Sequence, residues 1–362
     1  MDCVVAVDLG ATSGRVILAT FDGKLELREI HRFSTAAQST EMGLRLDAMT
    51  LFGRIQAGIA HAIAAAPGPV RAVGVDSWAV DYGLLAGDEL LDQPYNYRDP
   101  RCEDGRRAVL EKISPAELYA RTGIQDQPFN TVNQLVHDLA SGRLGEASRF
   151  LLLPDLIGYW LTGQQVAERT NASTTALLDP VTRDWDDAVG AVVEKQTGRR
   201  PAELFAPLVE PGTVVGQRRD AQVVTVASHD TASAVVAVPT DAPNPYFISC
   251  GTWSLVGVER TQPLTSDAAR AANMTNELGY GRTVRFLKNI MGLWVLNECA
   301  RRWNDADIPT LCAQAASIPA GHCVIPINDH RLFAPGDMPA RIRAIAAEQG
   351  QPQPHTQAEV TR

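Results

Sequence analysis

The run Val4-Val5-Ala6-Val7-Asp8-Leu9-Gly10-Ala11-Thr12-Ser13-Gly14-Arg15-Val16-Ile17-Leu18 decides the fold. Two apolar stretches rich in valine flank a tight turn of small, hydroxylated or acidic residues, which reads as strand, turn, strand. Such a turn exposes several backbone N–H groups beside Thr and Ser hydroxyls. It makes a nest for an anion, and glycine lets a phosphate approach closely. The same arrangement is read from Val223 to Val238, around Ser228-His229-Asp230-Thr231, and from Tyr246 to Val258, around Cys250-Gly251-Thr252-Trp253-Ser254. The first and third turns lie about 240 residues apart and suggest a phosphate chain gripped from two sides.

Outward from the first turn, the strands Val4 to Asp8, Arg15 to Phe21 and Leu25 to Phe33 form an antiparallel meander, with Asp22-Gly23 as a strong hairpin signal. A helix is predicted over Asp47 to Ala65, where Leu51, Ile55, Ile59 and Ile63 fall near one face and Pro67-Gly68-Pro69 ends it. Strands Val70 to Val75 and Tyr82 to Leu85 follow. The stretch from about 105 to 195 reads as largely helical, most clearly at Pro154 to Leu161, closed by Thr162-Gly163. Near residue 220 the strand–turn–strand pattern restarts, as though a second domain repeats the first across a cleft. A helix is predicted over Asn289 to Trp303. The reading is an α/β chain of two domains, 1–219 and 220–362.

Composition narrows the function. With 362 residues, 45% of them hydrophobic, the chain can bury a substantial core and exceeds one ordinary domain. A net charge of −9 argues against a nucleic-acid surface or an anionic membrane as the main partner. No apolar run approaches the ~20 residues needed to span a bilayer. The opening Met1-Asp2-Cys3-Val4 lacks the basic region of a signal peptide. The six cysteines, at 3, 102, 250, 299, 312 and 323, are scattered without metal-ligand spacing, as expected of reduced thiols in a cytoplasmic protein.

The common nucleotide cradles, Gly-x-x-x-x-Gly-Lys-Ser/Thr and the kinase-type glycine loop with its lysine, are absent. What remains is phosphate held by the amides and hydroxyls of two hairpins. Phosphoryl transfer asks mainly for positioning, Mg²⁺ and a base beside the accepting hydroxyl. Asp230 suits that base: between Val223 and Val238 only it and His229 can ionise, and a carboxylate in such a run is costly without a partner or a task. The plainer alternative is that Asp8 and Asp230 cap their own turns, common for a single such turn and less so for three. Ser228-His229-Asp230 is not read as a hydrolase triad, because neighbours on a strand point to opposite faces. Trp78, Trp253 and Trp294 read as core or cleft wall, and His31, His61 and His137 carry no signal.

Several ordered strings extend the pattern. They are Gly74-Val75-Asp76-Ser77-Trp78-Ala79-Val80-Asp81, Tyr97-Arg98-Asp99, Asn171-Ala172-Ser173-Thr174-Thr175, Ala227-Ser228-His229-Asp230-Thr231-Ala232-Ser233-Ala234, Gly251-Thr252-Trp253-Ser254-Leu255 and Leu287-Lys288-Asn289-Ile290-Met291-Gly292-Leu293-Trp294. With the opening run, they make the chain resemble the FGGY sugar kinases over nearly its whole length. The resemblance implies a two-domain actin-like (ribonuclease H-like) ATPase fold. It also implies transfer of the ATP γ-phosphate to the 1-hydroxyl of L-rhamnulose, with fuculose and xylulose left open as substrates.

Carried over position by position, Ala11, Thr12, Ser13, Gly14 and Arg15 match the first ATP phosphate loop and Thr252 the second. Asn297 stands where the family presents glutamine to the nucleotide, one methylene shorter. His229, Asp230 and Thr231 match the sugar-contacting segment, with Asp230 the proton acceptor. Ala79, in place of the usual glycine, and Asn289 match further sugar contacts. Asp8 is implied to hold Mg²⁺ through water.

The family pattern runs on past residue 362 through roughly a further quarter of its length, including a Gly-Gly-Gly turn at the adenosine, and no Gly-Gly pair occurs here. The second domain is therefore expected to be incomplete, with the adenosine-binding part missing. Three readings stay open: a fragment, a kinase completed by another polypeptide, or a sugar-binding module without turnover.

Overall fold

The computed structural model describes residues 2–142, 145–304 and 306–362. The chain divides into two compact units, Met1–Phe247 with Gly257–Lys288, and Ile248–Val256 with Asn289–Arg362.

The first unit is built on a six-stranded sheet in the order Val214–Arg218, Ala221–His229, Val70–Ser77, Asp2–Leu9, Ser13–Phe21, Leu25–Ser34. The last three strands are the antiparallel meander expected from the sequence. Asp2–Leu9 alternates exposed and buried residues, and Cys3, Val5, Val7 and Leu9 enter the core. The helix Ala48–Ala65 covers the sheet with Leu51, Ile55 and Ile59, and Asp47 caps it by accepting from the Thr50 N–H at 3.0 Å. Helices Arg101–Leu110, Pro115–Thr122, Thr131–Ala140, Leu153–Thr162 and Asp187–Thr197 fill the region read as helical. Gly163, at φ 77°, closes the fourth of these in the left-handed conformation that glycine supplies without strain. A separate apolar core, including Leu135, Val136, Phe150, Leu152 and Leu177, lies among these helices.

Two sequence expectations change here. Val223 to Val238 is not strand–turn–strand: Ala221–His229 is a strand and Asp230–Val236 a helix. The strand runs parallel to Val70–Ser77, so it extends the first sheet instead of opening a second domain near 220. Both strands of the hairpin around residue 220 belong to that sheet. The alternation of apolar residues fits a strand but does not name its partner, and the small residues Ala232-Ser233-Ala234 favour the helix that follows. Second, Asn289 lies on the strand Val284–Met291; the helix begins only at Leu293, after Gly292 at φ −100°, ψ −124°.

In the second unit, Met291, Trp294, Val295, Cys299, Leu332, Met338, Ile342 and Ile345 form a core between the helices Leu293–Arg302 and Met338–Glu348. The Trp294 indole N–H donates to the Leu332 carbonyl at 3.0 Å, satisfying the one polar atom of that buried side chain. Among the described residues, no helix is long and apolar enough to cross a membrane.

Candidate active site

Three parallel strands of the first unit, Asp2–Leu9, Val70–Ser77 and Ala221–His229, end side by side. Open α/β sheets present ligands at such carboxyl ends. Register sets the chemistry: Asp8 stands opposite Asp76, Leu9 opposite Ser77, and Ser77 opposite His229. Three carboxylates therefore share one neighbourhood. Burial raises the Asp8 carboxyl, the Arg15 charge opposes it, and Asp230 adds to it. Asp76 is raised well above the usual carboxylate range by burial, then by the charges of Asp8 and Asp230. Its Oδ1 is buried without a hydrogen-bond partner. Arg15, paired with Asp8 in the antiparallel register, brings its Nε to 3.2 Å from Asp8 Oδ2.

The turn Gly10-Ala11-Thr12 is pinned from outside. The Thr35 hydroxyl donates to the Gly10 carbonyl at 2.6 Å, and the Thr35 N–H donates to the Thr12 carbonyl at 3.3 Å. Ala11 and Ser13 are half-buried and Thr12 is exposed. Gly14 is tightly enclosed: a Cβ there would lie 2.5 Å from Phe33 Cε2 and 3.0 Å from Leu9 Cδ2, both side-chain atoms.

Asp230 is the first residue of its helix, and its Oδ1 accepts from the Thr231 N–H at 2.5 Å and from the Thr231 hydroxyl at 3.2 Å. Because the strand ends at His229, the alternation argument against a His229–Asp230 contact does not apply: His229 Nε2 lies 3.4 Å from Asp230 Oδ1. A triad is still not formed, since the Ser228 hydroxyl donates away from both, to Glu168 Oε2 at 2.7 Å. Glu168 is a buried anchor that nothing in its sequence neighbourhood singles out. It accepts from the Ser228 N–H at 2.9 Å, the Thr170 N–H at 2.8 Å and the Thr170 hydroxyl at 2.6 Å. Burial raises its pKa and these hydrogen bonds pull it back. The segment before Asp230 is thereby tied to the start of the short helix Arg169–Ala172.

Ala79 follows the strand Val70–Ser77 in a tight reversal. Its carbonyl accepts from the Asp81 N–H at 2.9 Å, around Val80 at φ 69°. A β-branched residue in that region is strained, and the surroundings hold it: the Thr131 hydroxyl donates to the Val80 carbonyl at 3.0 Å. Asp81 accepts from the Trp78 indole at 2.8 Å, and burial lifts its carboxyl to about 8.

The remaining expected residues belong to the second unit. Thr252 sits in the turn between the strands Tyr246–Cys250 and Trp253–Arg260, and its carbonyl accepts from the N–H groups of Gly292 at 3.2 Å and Trp294 at 3.1 Å. The carbonyl of Asn289 accepts from Asn328 Nδ2 at 3.1 Å. Asn297 is half-buried on the helix Leu293–Arg302.

The carboxylate neighbourhood fits a cation. Asp8 and Asp76 stand side by side in register, Asp76 is raised in part by the charges of Asp8 and Asp230 and Asp8 by that of Asp230, and one buried Asp76 oxygen lacks a donor. Among the described residues, no three His, Cys, Asp or Glu side chains converge closely enough to cage a metal by themselves. Magnesium does not need such a cage, since it keeps several waters and completes its shell with one or two carboxylates and substrate phosphates.

The chain is similar to known proteins over nearly its whole length. Residues 3–236 match the N-terminal domain of the FGGY family of carbohydrate kinases, and residues 246–362 match its C-terminal domain. The chain is 41% identical over 374 residues to a rhamnulokinase of Pectobacterium carotovorum subsp. carotovorum, covering 99% of this chain and 73% of that protein. Among solved structures it resembles a ligand-bound xylulose kinase from Lactobacillus acidophilus, with a TM-score of 0.75, 18% identity, and 89% of this chain and 67% of that one covered. It also resembles Plasmodium falciparum glycerol kinase with ADP, with a TM-score of 0.67, 12% identity, and 95% and 76% covered. These structures share the actin-like fold that the sequence led us to expect. With both domain models matched in order along almost every residue, the chain belongs to the FGGY family of carbohydrate kinases.

Proposed function

We propose that the protein transfers the γ-phosphate of ATP to the 1-hydroxyl of L-rhamnulose, giving L-rhamnulose 1-phosphate and ADP in L-rhamnose catabolism. The observation that carries this reading is the 41% identity to a rhamnulokinase across 99% of the chain. Further support comes from the carboxylates at the ends of the three parallel strands.

Asp230 takes the proton of the attacking hydroxyl. Its position at a helix start, with Thr231 donating to one oxygen, fixes the carboxylate and leaves the other oxygen for the sugar. General-base help of this kind contributes ~10² to 10⁴ in rate. His229, Thr231, Ala79 and Asn289 orient the ketose. The N–H groups and hydroxyls of residues 11–14, with the charge of Arg15, hold ATP phosphates; Thr252 and Asn297 are its contacts in the second unit. Asp8, with Asp76 beside it, would hold Mg²⁺ through water, and the ion would neutralise charge on the β- and γ-phosphates.

The deciding experiment is ADP release by the purified 362-residue chain with Mg-ATP, with and without L-rhamnulose, fuculose and xylulose. Release that depends on L-rhamnulose and far exceeds that with the other ketoses is the expected result. Release independent of sugar, or none from a folded sample, would overturn the proposal.

A further inference from the structure

Behind Asp230 lies a buried ionic network that the reaction as described does not use. Glu277 and Arg285 stand directly opposite each other on the antiparallel strands Thr275–Leu278 and Val284–Met291. Glu277 Oε2 is 3.3 Å from Arg285 NH2, and Arg285 is completely buried. Arg285 also donates to the Leu278 carbonyl, from Nε at 3.3 Å and from NH2 at 3.2 Å. The same NH2 reaches His229 Nδ1 at 3.1 Å with hydrogen-bond geometry, and the far side of that ring, Nε2, faces Asp230 Oδ1 at 3.4 Å. His229 is 6% exposed, so water does not stand in for these partners.

The chemistry of the donors selects a tautomer. A guanidinium has only N–H groups to offer, so a nitrogen that meets it at hydrogen-bond distance in a dry site must present a lone pair. Nδ1 then carries no proton, and in the neutral ring the proton sits on Nε2, the nitrogen 3.4 Å from Asp230 Oδ1. The competing arrangement would have Nδ1–H donate to Glu277 Oε2 at 3.2 Å. It sets an N–H against the Arg285 N–H and turns the Nε2 lone pair toward the Asp230 carboxylate, two like-with-like contacts in a low dielectric, against one in the Nε2–H form, where the Nδ1 lone pair meets Glu277 Oε2 at 3.2 Å. Glu277 serves instead as the counter-charge that lets Arg285 remain buried.

We infer that Arg285, held by Glu277, is a positioning residue for phosphoryl transfer: it locks His229 in the Nε2–H tautomer, so that His229 donates to Asp230 and fixes the carboxylate for its role as base. The inference rests on the reading of Asp230 as the base.

The test begins with the full-length wild-type chain labelled with ¹⁵N-histidine, and the His229 signal identified by its loss in His229→Gln. Long-range ¹H–¹⁵N spectra near neutral pH should show His229 protonated on Nε2 alone. That result needs no variant of Arg285 to fold. In Arg285→Gln, whose amide oxygen can accept from Nδ1–H, the Nδ1–H form should appear, and kcat should fall about tenfold or more while KM for ATP stays unchanged. His229→Gln, whose amide can place an N–H near Asp230, should retain more turnover than His229→Ala. Nδ1–H or imidazolium in the wild type overturns the inference, as does an unchanged kcat in folded Arg285→Gln. A wild type with the Nε2–H spectrum but no sugar-dependent turnover would support the tautomer and overturn the kinase reading instead.

Discussion

Asp8 and Asp76 face each other in register on neighbouring parallel strands, two carboxylates held side by side by the sheet itself. Both are raised from the ordinary aspartate value, Asp76 well above it, and burial is the largest cause for each. The sign of the stability effect follows. A carboxyl with a higher pKa folded than unfolded holds its proton more firmly in the fold. The fold therefore loses stability as pH rises through the unfolded value toward the folded one. Asp76→Asn removes this cost and is expected to raise the unfolding midpoint near neutral pH, with little change at about pH 4 and below. Denaturant unfolding of both proteins across that range checks it; equal gains at every pH would show that charge is not the cause.

If Asp230 is the base, Asp230→Asn keeps size and the hydrogen bond from Thr231 but loses the proton acceptor. The expected kcat is lower by ~10² to 10⁴, with KM for the ketose changed only a few-fold. Steady-state kinetics at saturating Mg-ATP separate the two constants. Near-normal kcat would remove Asp230 from that role.

Asp81 offers a second pH signature. Its carboxyl is lifted from 3.8 to about 8 by burial, against the opposing hydrogen bond from Trp78 and the charge of Arg101. Between those limits the folded chain binds a proton that the unfolded chain has released, so stability declines with pH across the whole window. Asp81→Asn keeps an oxygen for the Trp78 indole, at 2.8 Å in the wild type, and should flatten that decline. The gain at the top of the window should reach a few kcal/mol. Unfolding free energies measured at several pH values across the window would reveal it, and parallel curves for the two proteins would refute it.

How much of this was legible in the sequence depends on how local each feature is. The meander around residues 4 to 33, the helix read over Asp47 to Ala65 and the Thr162-Gly163 stop are written in adjacent residues, and the structure contains them, the helix starting one residue later at Ala48. The pairing of Asp8 with Asp76 was not legible, because parallel partners are joined by a long crossover and nothing in either strand names the other. The same gap misassigned Val223 to Val238: the apolar run was read correctly as far as His229, and the absence of a partner strand beyond it could not be seen. Glu168, Glu277 and Arg285 escaped notice for a related reason. A charged residue in a sequence looks like surface until the fold shows it buried and paired across a hairpin. Asp230, by contrast, stood out because its neighbours were uniformly apolar or small.

The last prediction concerns the second unit. Gly292 separates the strand Val284–Met291 from the helix Leu293–Arg302, and its N–H donates to the Thr252 carbonyl at 3.2 Å. A Cβ there would lie 2.5 Å from Ser254 Oγ, 2.8 Å from the Gly251 carbonyl and 2.9 Å from the Ser254 nitrogen. Two of those atoms are backbone, so relief requires the Gly251-Thr252 turn to move away from the helix start. Gly292→Ala should therefore displace the turn proposed to contact ATP. Overpacking of this kind costs about 1–3 kcal/mol. KM for ATP should rise several-fold while KM for the ketose changes less, because of the residues proposed to orient the sugar only Asn289 lies in this unit, and Ala79, His229 and Thr231 lie in the other. Gly14→Ala is the matching control in the first unit, where the clash is with the Phe33 and Leu9 side chains, which can shift by rotation. It should disturb ATP binding less for the same added methyl. If Gly292→Ala is as stable as wild type and binds ATP equally well, the turn at Thr252 either tolerates the shift or takes no part in holding the nucleotide, and its assignment fails.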